Sequence, residues 1–374
     1  MLYELGERPP NPELFQGNIQ IQAQKLYEWF QGKQSVLCIT GAGMSTDSGI
    51  PDYRGHNGSY YKNHSPTLHH EFIQKEQTRK RYWARSMIGW KEFADAVPNE
   101  GHVALAALER IQKIGVTFDD CVTFYKNRMN KDDDDSTAKD PPENEAASND
   151  VDYAFTSGSR RISIITQNVD QLHSKAGNKF VLHLHGRNDI LKCQTCASHY
   201  CRHEYHEKLK ERNESFLERI TVNSTSTTTT TTINPTNGST TTIGTNQNLR
   251  PDGDAELSPS ESFHDFQVLN CTKCKDHNGG ILKPDVVFFG DSVPRHRVNE
   301  CYAAVDACDG LLVIGSSLAV HSAYRFVNHA ALHNVPIAVL NMGKTRAETS
   351  GINITKIDAP IGPTLMELVN LFGI

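Results

Sequence analysis

Four cysteines stand in two C-x-x-C pairs, and their spacing is the clearest chemical signal in this sequence. Cys193 and Cys196 form the first pair, and Cys271 and Cys274, in "NCTKC", form the second. Two such pairs are typical of a tetrahedral zinc site. A redox dithiol is the alternative, but a redox pair needs no second pair. Because four sulfur ligands leave zinc no open position, we expect one structural zinc ion that activates no water, with Cys201 as a spare thiol.

Two histidines precede the first cysteine pair in "LHLHG". His183 and His185 could be zinc ligands, core residues of a strand, or catalytic groups. In an extended run both would lie on one face, with Leu182 and Leu184 on the other. Since the four cysteines complete the zinc site, neither histidine is needed as a metal ligand.

A glycine-rich loop, "GAGMSTDSGIPDYRG", follows the apolar run "SVLCIT". Gly41 and Gly43 stand where a tight turn and a close phosphate would need them, but Thr46 replaces the third glycine of the usual dinucleotide fingerprint. The pattern alone therefore fits a plain turn as well as a nucleotide-binding loop. The nucleotide interpretation is favoured by the residues that follow within the same loop: Asp47, Ser48, Pro51, Asp52 and Arg54.

Short apolar runs at 35–40, 161–166, 311–315 and 336–340 predict buried strands, each followed by a polar loop. The stretch after residue 315 has helical spacing, with Ser316 or Ser317 available as a cap. Strands that alternate with helices predict an α/β fold with a doubly wound parallel sheet. In such sheets ligands bind beyond the carboxyl ends of the strands, so we expect the four loops to line one site.

Composition excludes several classes of protein. The net charge of −6 over 374 residues argues against nucleic-acid binding by bulk electrostatics. We find no apolar run near the length of about 18 residues that a membrane span needs. The N-terminal stretch shows neither a signal-peptide core nor transit-peptide character. The nine scattered cysteines predict an intracellular chain with free thiols and a metal site rather than a disulfide framework.

Two segments have compositions that cannot bury enough apolar surface to fold. Residues 117–159 include the acidic run "NKDDDDSTAKDPPENEAASND", and residues 221–250 include a Thr/Asn-rich tract. We predict that both are solvated, disordered insertions. Without them roughly 300 residues remain, enough for one large domain with a smaller module.

Taken in order, several motifs resemble those of the sirtuins, the NAD-dependent protein lysine deacylases. They are "GAGMSTDSGIPDYRG", "TQNVDQLHSKAG", "LHG", the two cysteine pairs, "LKPDVVFFGD", "GSS" and "NMG". The resemblance covers roughly residues 20–115 and 160–370, and "RKRYWARSMIGW", "PDGD" and "LKPDVVFFGDSV" are most similar to the sirtuin-4-like class II branch. It implies a catalytic domain over residues 20–374. The resemblance divides this domain into a Rossmann-like NAD-binding lobe (20–60, 100–115, 160–186 and 281–374) and a small zinc-binding and helical module (60–99 and 187–280).

The resemblance also implies a reaction. The acyl-lysine oxygen attacks the nicotinamide ribose, nicotinamide leaves, and a ribose hydroxyl must then lose a proton to attack the acyl carbon. His185, the histidine before the glycine, matches the family's base, and an imidazole suits that proton transfer. His183 is then a buried strand neighbour. Asn168 and Asp170 match the residues that hold the ribose and the nicotinamide carboxamide.

By the same resemblance, the remaining NAD contacts fall on three parts of the chain. They are Gly41, Ala42, Gly43, Thr46, Asp47, Ile50, Pro51, Asp52, Tyr53, Arg54 and Tyr61 in the first loop; Gln167, Asn168, Val169 and Asp170 in the second; and Gly315, Ser316, Ser317, Asn341, Met342, Gly343 and Ile361 near the C-terminus. Ser316 and Ser317 could equally be mere helix caps. Tyr53 departs from the phenylalanine of many members, which puts efficient plain deacetylation in doubt.

Four residues are expected to contact the acylated substrate. Val286 and Phe288 lie in the segment that resembles the family's peptide-binding strand. Tyr82 and Arg85 have the Y-x-x-R spacing of members that remove acidic acyl groups, and on a helix they would share a face. Arg85 could instead belong to a solvated basic surface. The apolar residues that follow would also admit a longer aliphatic acyl chain.

Three functional classes follow: a deacylase, a protein ADP-ribosyltransferase that uses the same NAD site, and an inactive NAD-binding scaffold. Retention of His185, Asn168 and Asp170 argues against the scaffold. The expected partners are NAD and acylated proteins, without direct nucleic-acid binding and without a membrane. Cytoplasm or nucleus is favoured as the compartment, although the resembling branch is often mitochondrial.

Overall fold

The structure is a computed structural model that describes residues 8–62, 66–119, 159–224, 249–257, 261–274 and 279–374. The strands are β1 (Val36–Thr40), β2 (Val116–Asp119), β3 (Ser159–Ile162), β4 (Ile164–Thr166), β5 (Val181–His183), β6 (Gly186–Cys193), β7 (His199–Cys201), β8 (Leu282–Val286), β9 (Gly310–Ile314), β10 (Ile337–Leu340) and β11 (Thr355–Ile357). The helices are α1 (Ile19–Phe30), α2 (His69–Gln74), α3 (Glu76–Asp95), α4 (Glu100–Arg110), α5 (Leu172–Lys175), α6 (Arg202–Arg212), α7 (Glu214–Ser224), α8 (Arg295–Asp306), α9 (His321–Leu332), α10 (Arg346–Thr349) and α11 (Ile361–Leu371). Short 3₁₀ turns cover Pro12–Leu14, Ala42–Met44, Thr46–Ser48 and Ser59–Lys62.

Six parallel strands form the central sheet, in the order β11-β10-β9-β1-β4-β5. The chain extends the sheet from β1 through β4 to β5, and later from β9 through β10 to β11 on the other side. The direction of winding therefore reverses between β1 and β9, and ligands bind at such a switch point. Register aligns the strand ends there, since Thr40 pairs with both Thr166 and Ile314.

Strand β1 shows why the sheet is covered on both faces. All five of its residues are buried, as expected of a parallel strand between two helical layers. Val36 and Cys38 pack in one core with residues of α1, α4 and α11, whereas Leu37 and Ile39 pack in a second core with residues of α8 and α9. The doubly wound α/β prediction is confirmed.

A second unit contains the three-stranded antiparallel sheet β7-β6-β8. Its core joins residues from α2, α3, α6 and α7, with Phe72, Trp83 and Phe266 fully buried. Among the described residues, the structure has no helix that combines the length and the apolar character needed to cross a membrane.

Sequence reasoning misplaced the boundaries of both insertions. Residues 117–119 and Ser159, assigned to the acidic insertion, belong to β2 and β3, which pair with each other. Residues 221–224, assigned to the Thr/Asn-rich insertion, complete α7, and Leu249 forms a bridge with Ala255. The rest of both insertions, 120–158 and 225–248, lies outside the described residues.

Candidate active site

The glycine-rich loop lies directly against the end of β9. The N–H of Gly41 donates to Ile314 at 3.0 Å, and that of Gly43 donates to Gly315 at 2.9 Å. A Cβ atom on Gly41 would lie 2.7 Å from the Cβ of Ser316, closer than packed carbon atoms approach. Glycine is therefore required here because two loops meet at the switch point of the sheet.

Three polar side chains from the first two loops form one buried cluster. The hydroxyl of Ser45 donates to Oδ2 of Asp170 at 2.6 Å, and Nδ2 of Asn168 reaches both Ser45 Oγ at 3.1 Å and the carbonyl of Gly41 at 3.0 Å. Burial raises the pKa of Asp170, although hydrogen bonds from Ser45 and the Leu172 N–H oppose this. The structure thus brings Asn168 and Asp170 together, and it adds Ser45, which sequence reasoning missed although it lies within the motif.

Gln167 joins this cluster to the loop that follows β9. Its side-chain amide donates to Ser316 Oγ at 2.8 Å, and Ser316 Oγ also accepts from the N–H of Leu318 at 3.2 Å. The expectation that Ser316 or Ser317 caps the following helix is wrong, because α9 begins only at His321, with Val320 at the N-cap position. Ser316 instead fastens the loop to Gln167.

His185 lies at the centre of this arrangement, in the turn between β5 and β6. Its Nδ1 lies 3.0 Å from the Gln167 carbonyl, and its Nε2 lies 2.7 Å from the hydroxyl of Ser322 in α9. Burial, with the nearby charges of Arg297 and Arg325, lowers the pKa of His185 to about 4. At neutral pH the imidazole is uncharged and has one nitrogen lone pair to accept a proton.

His183 has a different environment. It ends β5 opposite Thr166, is 8% exposed, and has a pKa lowered by burial to about 4. The premise of one extended run through both histidines is wrong, since β5 stops at His183 and residues 184–185 form a turn. That turn separates the buried strand histidine from the partly buried one at the junction of the loops.

The rest of the first loop has an apolar base and an aromatic end. Ile50 and Val169 are buried in a small core with Trp90. The Tyr53 ring contacts those of Tyr60 and Phe289, with centroids 5.9 and 6.3 Å away. The other members of the loop differ in exposure, with Ala42, Pro51, Asp52 and Arg54 partly buried and Thr46, Asp47 and Tyr61 exposed.

The residues predicted for the adenosine end follow β10 and open α11. Gly343 N–H donates to Asp358 at 3.0 Å, and Ile361 lies beside Gly315. Sequence reasoning missed the N-terminal segment here: residues 8–11 and 14–16 line a cavity of about 520 Å³ together with His56, Met342 and Asp358.

The four predicted substrate residues fall in one region, but one of them already has a charged partner. Tyr82 and Phe288 pack together, with ring centroids 5.2 Å apart, and Val286 ends β8 beside them. Arg85 is buried, so its assignment to a solvated basic surface is wrong. Its Nη2 donates to Asp254 Oδ2 at 2.8 Å, and its buried Nε has no hydrogen-bond partner within the part of the chain that the structure describes. Asp254, fully buried, was not foreseen from the sequence.

The four cysteines converge as the spacing predicts. Their sulfur atoms lie within 4.8 Å of one another, with Cys193–Cys274 at 3.5 Å and Cys196–Cys271 at 3.6 Å. Tetrahedral zinc with Zn–S bonds of about 2.3 Å separates its sulfurs by about 3.8 Å, so the geometry fits the ion. Gly280 packs so closely that a Cβ there would lie 2.4 Å from the Cys193 sulfur. The cysteine cluster belongs to the small antiparallel unit. His185, in the turn before β6, is not part of it.

Comparisons with known proteins agree with this geometry. The chain is 34% identical to the NAD-dependent protein deacylase Sirt4 of Drosophila melanogaster over 92% of this chain and 86% of that protein. It is 35% identical to NAD-dependent protein deacetylase 1 of Streptomyces coelicolor over 91% of this chain and 86% of the relative. A solved structure of a Sir2 protein with a p53 peptide and NAD⁺ superposes with a TM-score of 0.57 at 20% identity, covering 94% of this chain and 98% of that one, which shows a shared fold.

The model of the Sir2 family matches residues 41–131 and 138–322, well over half of the sequence. Those ranges contain the glycine-rich loop, the Asn168–Asp170 cluster, His185 and all four cysteines. The chain therefore belongs to the Sir2 family, the sirtuins.

Proposed function

We infer that this chain is an NAD-dependent protein lysine deacylase, which transfers the acyl group of an acyl-lysine to ADP-ribose and releases nicotinamide. The observation that carries this conclusion is the position of His185. A neutral imidazole lies against the backbone of Gln167, the residue that precedes Asn168 of the polar cluster and that also binds Ser316 in the loop after β9. The names of relatives that share a third of the sequence support the same activity.

His185 is the general base of this proposal. Its low pKa keeps it unprotonated at neutral pH, so it can take a proton from a ribose hydroxyl. General-base catalysis of this kind is worth a factor of about 10²–10⁴. Neutral His183, bound into the end of β5, has a structural role.

The loop and cluster residues would hold NAD, which when bound supplies the electrophilic ribose carbon. The backbone N–H groups of the glycine-rich loop suit phosphate oxygens. Asn168 and Asp170 offer an amide and a carboxylate for the ribose and the carboxamide. Ser45 keeps these two groups at a fixed separation, because it contacts both.

For the acyl group, we propose an acidic chain recognised by Tyr82 and Arg85. A guanidinium binds a carboxylate with paired hydrogen bonds, and the Nε of Arg85 has no hydrogen-bond partner among the described residues. Asp254 occupies Nη2, so the substrate carboxylate must share the guanidinium with it. Burial and the nearby Asp252 raise the pKa of Asp254 to about 7, which weakens its hold on Arg85 near neutral pH.

The test is an assay of purified protein with NAD and a panel of acyl-lysine peptides, read by mass spectrometry. The proposal expects deacylated peptide, nicotinamide and acyl-ADP-ribose in equal amounts. Nicotinamide release with an intact acyl-peptide and an ADP-ribosylated protein would instead support the transferase. NAD binding without nicotinamide release would indicate an inactive scaffold.

For its cellular setting, we propose the cytoplasm or nucleus, with acylated proteins as substrates and no direct contact with nucleic acid. The net charge of −6 supports the expected lack of bulk electrostatic contact with nucleic acid. Imaging of the full-length chain with a C-terminal fluorescent tag tests it, and exclusive mitochondrial signal would contradict it.

A further inference from the structure

The hydrogen bonds of His185 identify which of its nitrogens acts as the base. Nδ1 lies 3.0 Å from the backbone carbonyl of Gln167, and a carbonyl can only accept, so Nδ1 carries the proton. That carbonyl is held in place, because Gln167 N–H donates to the Thr40 carbonyl at 2.9 Å. In the neutral ring Nε2 therefore carries the lone pair.

The lone pair of Nε2 faces the hydroxyl of Ser322 at 2.7 Å. With an unprotonated nitrogen on one side, the hydroxyl must donate. Ser322 is the second residue of α9, so the positive end of that helix also faces Nε2 and disfavours protonation there before reaction. Arg297 and Arg325 act in the same direction.

Helix α9 is packed on the central sheet and against Arg346. Ala323, Phe326 and Val327 are fully buried in the core on one face of the central sheet, and the Tyr324 ring packs under the guanidinium of Arg346. A hydroxyl at the start of this helix consequently has a fixed position relative to the turn that carries His185.

We propose that Ser322 is a positioning residue for the reaction: its hydroxyl donates to Nε2 and so fixes the ring orientation and tautomer of His185, until a ribose hydroxyl replaces it at Nε2 and gives up its proton there. This inference rests on the proposed function, in which His185 is the base. Because Nε2 has a single lone pair, the Ser322 hydroxyl must rotate aside before the ribose hydroxyl can approach. The ribose O–H bond then breaks as the Nε2–H bond forms.

The test compares three variants with matched shapes. Ser322→Thr keeps the hydroxyl, Ser322→Val has the shape of threonine without it, and Ser322→Ala removes it without added bulk. We expect alanine and valine to lower kcat about 10- to 100-fold, as misplacement of a catalytic group does, with little change in KM for NAD. Threonine should retain most of the wild-type kcat.

A second readout is independent of turnover. In ¹⁵N-labelled protein, the Nε2 resonance of His185 should move toward that of a nitrogen without a hydrogen bond in the alanine and valine variants, but not in the threonine variant. Equal loss in the threonine and valine variants, or an alanine variant as fast as or faster than wild type, would overturn the inference.

The outcomes separate this inference from the proposed function. Wild-type protein that releases no nicotinamide would contradict the deacylase function itself. Active wild type, inactive His185→Tyr and a fully active Ser322→Ala would leave the function intact and refute only the role of Ser322.

Discussion

The Arg85–Asp254 pair allows the acyl preference to be tested by removing each partner separately. Arg85 is 8% exposed and Asp254 is 0% exposed, so Arg85→Met leaves a buried carboxylate without its cation. Breaking a buried pair in this way costs about 3–5 kcal/mol in the free energy of unfolding. A drop in activity of this variant alone would therefore not separate lost stability from lost recognition.

Asp254→Asn supplies the missing comparison. It removes the competing carboxylate and leaves the guanidinium of Arg85 available to the substrate. If Arg85 binds the acyl carboxylate, Asp254→Asn should raise the ratio of kcat/KM for succinyl-lysine peptide over acetyl-lysine peptide, and Arg85→Met should lower it. A hydrogen bond to a charged group is worth about 1.5–3 kcal/mol, so the loss in the ratio should be about 10- to 150-fold.

The double variant Arg85→Met/Asp254→Asn completes the cycle. It should recover stability, because no unpaired charge remains, while its acyl preference stays low. Equal losses on both peptides in Arg85→Met, with an unchanged ratio in Asp254→Asn, would show that Arg85 has only a structural role and refute the reasoning.

The same pair has a pH signature. Burial raises the pKa of Asp254 to about 7, above the value of about 3.9 expected in the unfolded chain. The folded state therefore binds this proton more tightly, and the contribution of Asp254 to stability falls as pH rises from about 4 to 7. Removing Arg85 raises that pKa further, so Arg85→Met should lose additional stability between pH 7 and 8, measured by urea unfolding. Asp254→Asn should abolish this loss.

Three further predictions concern the rest of the site. His185→Tyr should abolish deacylation, and calorimetry should show that this variant still binds NAD. The control His183→Ala should mainly lower the free energy of unfolding and have a smaller effect on kcat. Near-full activity of the tyrosine variant would contradict the assignment of His185 as the base. The purified protein should contain one zinc per chain by metal analysis, and Cys193→Ser should lose it and unfold the small module, so active protein without zinc would refute the site. Ser45→Ala should weaken NAD binding about 10-fold because Asn168 and Asp170 lose their shared partner; unchanged affinity would show that the cluster forms without it.

Local sequence patterns predicted the central sheet well. The runs at 35–40 and 311–315 coincide within a residue with β1 and β9, because strands buried on both faces are continuously apolar. The loops at their ends then followed from the topology of a parallel sheet. The zinc cluster was equally predictable from sequence, since a C-x-x-C pair brings its two sulfurs together by itself.

Contacts between distant parts of the chain could not be predicted from local sequence patterns. Arg85 and Asp254 are 169 residues apart, and neither "RYWAR" nor "PDGD" indicates that the two side chains meet. Ser322 lies 137 residues from His185, in a helix whose start was placed too early. Such pairs depend on how α3 and α9 pack, which periodicity does not specify.

The central claim is tested most directly by the products of a single reaction. Purified wild-type protein, NAD and a succinyl- or acetyl-lysine peptide are incubated, and peptide, nicotinamide and nucleotide products are quantified together by mass spectrometry. We predict equal amounts of deacylated peptide, nicotinamide and acyl-ADP-ribose, all abolished by His185→Tyr. Nicotinamide formed while every acyl-lysine remains intact would contradict the assignment of this chain as a deacylase.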